Sequence, residues 1–303
     1  MVGGVRMPVA DRQILAQFFN AENNMGELGW AEQRVRFDAL AELMPKTADV
    51  FEIETATFGG VKGEWARAPG TTRDAALLYL HGGGYLIGSP KSHRHMVGAL
   101  SVESGLSVFS ADYRLAPEHP FPAAVDDAVA AYKGLLDKGI ASARLAIAGD
   151  SAGGGLTIAT LVALRDRGLP LPGCAVAISP WCDLSQGGEG YRARAKRDPI
   201  VRKDGLDKMA AAYLNGADPK TPLASPAFAN LEGLPPLLIQ VGTDEALYDD
   251  ALTLKARAES AGVEVSFESW GGMIHVWHIF HPLLSEGRDA IARIGRYLKA
   301  RIS

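Results

Sequence analysis

Cysteine is nearly missing from this chain. Cys174 and Cys182, two in 303 residues, are too few for a disulfide framework, and both are expected to stay reduced, Cys174 inside an apolar strand. An excess of basic charge is also missing. Lys and Arg number 31 against 35 Asp and Glu, a formal net charge of −4, which gives no electrostatic case for nucleic acid or an anionic membrane surface. No window approaches the roughly 18 uninterrupted apolar residues that a transmembrane helix needs. The stretch Met1 to Asn20 lacks a basic region followed by an apolar run, so no signal peptide is expected and a cytoplasmic location is the default. Repeats and low-complexity tracts are absent. What remains is an ordinary globular composition, 47% hydrophobic and 22% charged, long enough for one large α/β domain or two small ones.

Strand and helix patterns alternate through most of the chain. Strands are expected at Phe51–Thr57, Gly63–Arg67, Ala75–His81, Ser107–Tyr113, Arg144–Gly149, Ala175–Ser179, Leu237–Gly242 and Val263–Trp270. Helices are expected at Phe121–Lys138, Gly154–Arg167, Asp249–Ala261 and Ser285–Arg301. The strands are rich in Val, Ile and Leu without strict alternation, which predicts burial on both faces of a mostly parallel sheet flanked by helices. The first two have no helix between them and should open the sheet as an antiparallel hairpin. Two segments break the rhythm: a polar, helix-rich prelude, and a Gly- and Pro-punctuated insertion after a strand end. The expected division is a core of residues 46–184 and 226–303 beneath a discontinuous helical cap of residues 1–45 and 185–225.

Gly149-Asp150-Ser151-Ala152-Gly153 is a G-x-S-x-G pentapeptide between the apolar run Arg144–Ala148 and a small-residue helix. A serine on so sharp a turn sits in a strained conformation, with its hydroxyl pushed out at the end of the strand. The helix start beside it presents backbone N–H groups and a positive dipole end where an anion could form. Seventy residues earlier the third expected strand runs into His81-Gly82-Gly83-Gly84-Tyr85. Consecutive glycines there let backbone N–H groups approach a substrate and stabilise the negative oxygen formed when a serine attacks an ester.

These motifs, with Asp112-Tyr113-Arg114-Leu115-Ala116-Pro117-Glu118-His119-Pro120-Phe121-Pro122-Ala123, Pro222–Pro226 and Gly272-Met273-Ile274-His275, occur in one order over about residues 75 to 280. The chain resembles the hormone-sensitive-lipase-like group of α/β-hydrolases, the bacterial family IV esterases. The resemblance implies an α/β-hydrolase fold with an eight-stranded sheet and Gly83, Gly84 and Ala152 as oxyanion-hole donors. It also implies His81 as an orienting residue and short- to medium-chain carboxylic esters as substrates. The proline-rich run at 112–123 is expected to be scaffolding, with Glu118 or Asp150 as candidate buttresses of the serine turn.

Ser151 needs a base, and the base an acid that orients it. Three histidines follow the serine: His275, His278 and His281. His275 lies just past the last expected strand among glycines and is the expected base, whereas His278 and His281 run into expected helix. Their spacing has no acidic or cysteine ligand close in sequence, so no metal or other cofactor is expected. The family's acid motif, matched at Leu247 and Asp249, puts Glu245 at the acid position, thirty residues before His275. Asp244 is the alternative, one residue out of register. A carboxylate of either type serves, since it accepts from imidazole Nδ1–H.

Tyr85, Trp181, Tyr191, Trp270 and Trp277 are candidates for the pocket wall, Tyr85 and Trp181 foremost as substrate-binding residues. The expected partner is a small-molecule ester. A lactone hydrolase or an acyl transferase would use the same triad, and ligand-binding relatives that have lost the histidine mark a non-catalytic alternative. A homodimer paired through the edge strand Val263–Trp270 is a further possibility for such a sheet.

Overall fold

The computed structural model describes residues 13, 17–19, 28–46 and 50–302. Eight strands form one sheet: β1 (Glu52–Phe58), β2 (Val61–Arg67), β3 (Thr72–Leu80), β4 (Leu106–Ala111), β5 (Leu145–Asp150), β6 (Cys174–Ile178), β7 (Leu237–Gly242) and β8 (Val265–Trp270). Their order is β1-β2-β4-β3-β5-β6-β7-β8. The expected hairpin is there: β1 pairs antiparallel with β2, which pairs antiparallel with β4. Every other pairing is parallel.

Burial on both faces explains the unbroken apolar strands, and the period of two divides their side chains between two cores. Leu78, Leu80, Ile147 and Ala177 face one core, where they meet α3 (Ala123–Asp137) and α4 (Ala152–Asp166). Leu77, Tyr79, Ala148 and Val176 face the other, shared with α2 (Pro90–Ser104) and α8 (Ser285–Arg301). Helix α8 places Ile291, Ile294 and Leu298 on one stripe, the spacing of a helix that buries a single face. Cys174 and Cys182 are buried free thiols.

Helix α2 was not foreseen. Its buried face includes Ser92, His93, Ser101 and Ser104, polar residues that read as surface in a sequence. Its boundaries are nevertheless well marked: Ser89 caps it reciprocally with Ser92, Pro90 opens it, and Gly105 closes it at φ 69°. His278 lies in a short 3₁₀ turn, Trp277–Phe280, and His281 follows it, in place of the longer helix expected there.

The insertion holds α5 (Gly190–Ala193) and α6 (Lys203–Leu214), and its root is fastened to α7 (Tyr248–Ser260). Buried Asp250 accepts from the N–H groups of Cys182 and Asp183 and from the Tyr191 hydroxyl, and Asp249 accepts from Gly190 and Arg194. The prelude contributes α1 (Trp30–Leu40), and Phe18, Leu40 and Met44 pack with Met273, Ile274, Trp277 and Phe280 in a third apolar cluster. Residues 1–12, 14–16 and 20–27 of the amino-terminal segment lie outside the described residues.

Candidate active site

Four parallel strands, β3, β5, β7 and β8, deliver the site at their carboxyl ends, where ligands bind in open α/β sheets. At the end of β5, Ser151 adopts φ 54° and ψ −121°, a left-handed backbone conformation that a side chain tolerates only when its surroundings hold it. They do. The Ser151 N–H donates to the Ile178 carbonyl at 2.9 Å, and its carbonyl accepts from Gly155 and Trp181 at 3.1 and 2.9 Å. A Cβ on Gly153 would collide with the backbone carbonyls of Leu80 and His81, so the turn packs backbone to backbone against the end of β3. Ala152 opens α4, so its N–H has no acceptor inside the helix.

Beyond β3 the chain turns through Gly83 (φ 110°), Gly84 (φ 63°) and Tyr85 (φ 67°). The Gly83 carbonyl accepts from Leu86 and Ile87 at 3.1 and 3.0 Å, closing a tight loop in which a Gly83 side chain would strike Ile87. Gly83, Gly84, Ser151 and His275 line one cavity of about 140 Å³.

The two acid candidates have different surroundings. Glu245 is fully buried, and its Oε2 lies 3.2 Å from His275 Nδ1. Its Oε1 accepts from the Gly242 N–H at 2.6 Å and from the Ser179 hydroxyl at 2.7 Å. Asp244 points elsewhere, with Arg197 at 3.9 Å as its ion-pair partner. Burial works against a charged imidazole at His275, but the hydrogen bond and charge of Glu245 outweigh it and hold the pKa above the ordinary histidine value.

The other histidines have other surroundings. His278 Nε2 donates to the Gln240 Oε1 at 2.7 Å beneath the sheet, and burial drives its pKa down to about 3. His281 Nε2 lies 3.3 Å from His95 Nδ1 on α2. His81 is buried with Nδ1 against its neighbour's carbonyl, Gly82 O, at 2.7 Å; its pKa is pushed to about 3, so it stays neutral. No cluster of three or more metal-ligating side chains occurs among the described residues.

Several expectations meet a different arrangement. Tyr85, Trp181, Tyr191 and Trp277 are buried and absent from the cavity wall, and Trp270, half-buried, is absent from it too. Tyr85 stacks on Tyr213 of α6 with ring centroids 3.9 Å apart, so both aromatic rings support the site from behind. Apolar wall is supplied instead by Phe18, Phe37, Ile87, Ile200, Leu206 and Met209. Glu118 does not touch the serine turn; it pairs with Arg34 of α1, whose guanidinium also donates to the Leu86 and Ala116 carbonyls. Asp150 does reach the site, accepting the Gly82 N–H at 3.0 Å.

Three residues went unnoticed in the sequence. Ser179, at φ 45° beyond β6, joins Glu245 to the Val276 N–H. Buried Asp198, in the insertion, accepts from Ile200, Val201 and Ala246, the last being the residue after the acid. His93 of α2 lines the cavity beside Asp150. For Asp198 the one available signal was the Asp-Pro pair, which marks a turn.

The family model for the alpha/beta hydrolase fold matches residues 77–279. An acetyl-hydrolase of Streptomyces hygroscopicus is 52% identical over 246 residues, 81% of this chain and 82% of that protein. An esterase of Acinetobacter venetianus is 33% identical, with 86% of each chain covered. Among solved structures, an esterase from the bacterial hormone-sensitive lipase family superposes with a TM-score of 0.94 at 44% identity, covering 99% of this chain and 100% of that one. A hormone-sensitive lipase from a metagenome library gives 0.92 at 39%, with 98% and 99% covered. The chain belongs to the α/β-hydrolase family, in the hormone-sensitive-lipase-like branch of esterases. Its activity is that of a carboxylic ester hydrolase.

Proposed function

We propose that the protein is a serine esterase for small acyl groups, working through an acyl-enzyme. The single observation that carries the reading is the convergence of Ser151, His275 and the Gly83–Gly84 turn on one cavity, with Glu245 bound behind the histidine. His275 takes the proton of Ser151 as its oxygen attacks the ester carbonyl. The oxyanion forms against the N–H groups of Gly83, Gly84 and Ala152, and each such donor is worth about 3 kcal/mol in the transition state. His275, held by Glu245 through Nδ1, then protonates the leaving alcohol, and water repeats the sequence on the acyl-serine.

Cavity size supports the short end of the range. A volume of about 140 Å³ is close to that of an apolar cavity able to hold benzene, about six heavy atoms. An acetyl-hydrolase among the relatives is in keeping with this. Residues 1–45 and 185–225 act as the cap in this reading, since Phe18, Phe37, Ile200, Leu206 and Met209 all come from them and roof the cavity over a core of 46–184 and 226–303.

Initial rates on p-nitrophenyl esters of increasing chain length test the proposal. Turnover per active site is expected to be highest for acyl groups up to about six carbons and to fall at least about tenfold by twelve. A flat profile, or one that rises with length, refutes the small-acyl reading.

A further inference from the structure

One side chain on the cavity wall has no part in the proton transfers above. His93, on the first turn of α2, is buried with both ring nitrogens facing acceptors. Nδ1 lies 3.3 Å from the Ser89 carbonyl and 2.9 Å from the Ser92 hydroxyl. That hydroxyl already donates its proton to the Ser89 carbonyl, so it offers His93 a lone pair. Nε2 lies 3.4 Å from Asp150 Oδ2. A carbonyl and a carboxylate can only accept, so with the Ser92 proton on the Ser89 carbonyl each ring nitrogen is matched by a proton of its own. The arrangement suits an imidazolium.

Asp150 is equally committed. Its Oδ1 accepts the Tyr79 hydroxyl at 2.6 Å and the Gly82 N–H at 3.0 Å, and a Cβ on Gly82 would collide with Oδ2. The carboxylate is therefore wedged between Ser151, the next residue, and the first glycine of the turn that leads to Gly83 and Gly84. An anchor at that place is useful, but a bare negative charge there opposes the negative charge that develops on the substrate oxygen.

We propose that His93 is a positioning residue, an imidazolium that pins the Asp150 carboxylate against Gly82 and cancels its charge, so that the oxyanion turn is anchored without being electrostatically opposed. The inference rests on the esterase reading above. Other groups around the ring fit a cation held by this one carboxylate. His81, its ring centroid 5.6 Å away, is neutral; Tyr79 and Phe37 are uncharged; and Asp38, bound to the Ser89 hydroxyl, adds negative potential. Burial opposes the charge on His93, yet Asp150 raises its pKa overall, and despite burial the Asp150 carboxyl is held at about 2, with His93 the main cause.

Hydrogen-bond capacity separates charge from shape. In Asp150→Asn the amide oxygen still accepts from Tyr79 and Gly82, and the amide N–H₂ donates to a neutral His93 whose Nδ1–H donates to Ser89. In Asp150→Ala the anchor is gone. In His93→Gln the carboxylate loses its cation, and in the double variant His93→Gln with Asp150→Asn both charges vanish while the bonds persist.

The experiment measures kcat and KM for p-nitrophenyl acetate in these four variants, with thermal melting to confirm folding. His93→Gln is expected to lose on the order of a hundredfold in kcat with little change in KM, and the double variant to regain at least about tenfold of that loss. Asp150→Asn is expected to lose at least about tenfold less than Asp150→Ala. A double variant as slow as His93→Gln overturns the proposal. If His93→Gln does not fold, the aspartate pair decides: equal losses in Asp150→Asn and Asp150→Ala overturn it too. Ser151→Ala serves as control, because turnover surviving there refutes the esterase reading itself and leaves a different signature from a failed charge cycle in an active serine enzyme.

Discussion

Glu245 has the reach that its position demands. One carboxylate oxygen takes the Gly242 N–H and the Ser179 hydroxyl, which fixes the group in the turn, and leaves the other free for His275. Removing it leaves a buried imidazolium without a partner during attack, whereas Asp244 makes no contact that the reaction uses. Glu245→Ala is expected to lower kcat about a thousandfold or more, and Asp244→Ala to stay within about threefold. The pH profile adds a sign. Only neutral His275 can act as base, so kcat/KM rises with pH through the histidine's pKa, which Glu245 holds above its ordinary value. In Glu245→Gln that limb moves to lower pH as the stabilising charge disappears. A dead Asp244→Ala beside an active Glu245→Ala would contradict the assignment.

The same residue scale shows what a sequence conceals. Ser151, His275, Glu245 and the glycine turn were legible as candidates that the fold gathers at one place, because the chemistry proposed for them needs particular residue types at particular element ends. Tyr85 and Trp181 also follow motifs at strand ends, but an aromatic ring buries so much apolar area that it is drawn into the core unless a cavity competes for it. His93 was hidden for the opposite reason: a histidine on a polar-looking helix gives no hint of the carboxylate it will meet from another strand.

At the scale of elements, β7 and α8 match their expected bounds residue for residue, and the other strands and expected helices shift by up to about three. The central strands were legible because continuous Val, Ile, Leu and Ala runs have few other uses in a soluble chain. Helix α2 escaped because its buried face carries serine and histidine, whose burial depends on tertiary partners: Ser101 accepts from the Ala68 N–H and donates to the Leu106 carbonyl. The insertion was recognisable as an interruption, yet not its fastening. Asp250, Asp249 and Asp198 tie its backbone to the turn and helix that follow Glu245, so the wall of the cavity and Glu245 are fastened together.

For the whole molecule, histidines and carboxyls shielded from water shape the response to acid. His81, His95 and His278 are held neutral, each with a pKa driven to about 3 by burial. Their folded-state values lie below the ordinary 6.5, so the unfolded chain binds more protons and stability falls as pH drops below that value. Each contributes a loss of up to about 2 kcal/mol between pH 6.5 and 5. His93 and His275 act in the opposite sense, since their raised values favour the folded state below 6.5, and so do the buried carboxyls of Asp250, pushed up to about 7, and Glu245. In His278→Gln, which removes one neutral ring and keeps a donor for Gln240, the thermal midpoint is expected to fall less between pH 7 and 5 than it does in the unaltered protein. A change in midpoint over that range that is the same in both proteins contradicts the neutral burial of His278.

A transient ester on the serine is the central claim, and trapping it is the most direct test. The protein is mixed with p-nitrophenyl acetate, quenched in acid within the first turnovers, digested and weighed by mass spectrometry. The account predicts an acetyl increment on the peptide containing Ser151, absent in Ser151→Ala and accompanied by a burst of p-nitrophenol matching the enzyme concentration. An acetyl group found on another residue, or turnover with no acylated peptide and no burst under conditions where deacylation limits the rate, would contradict it.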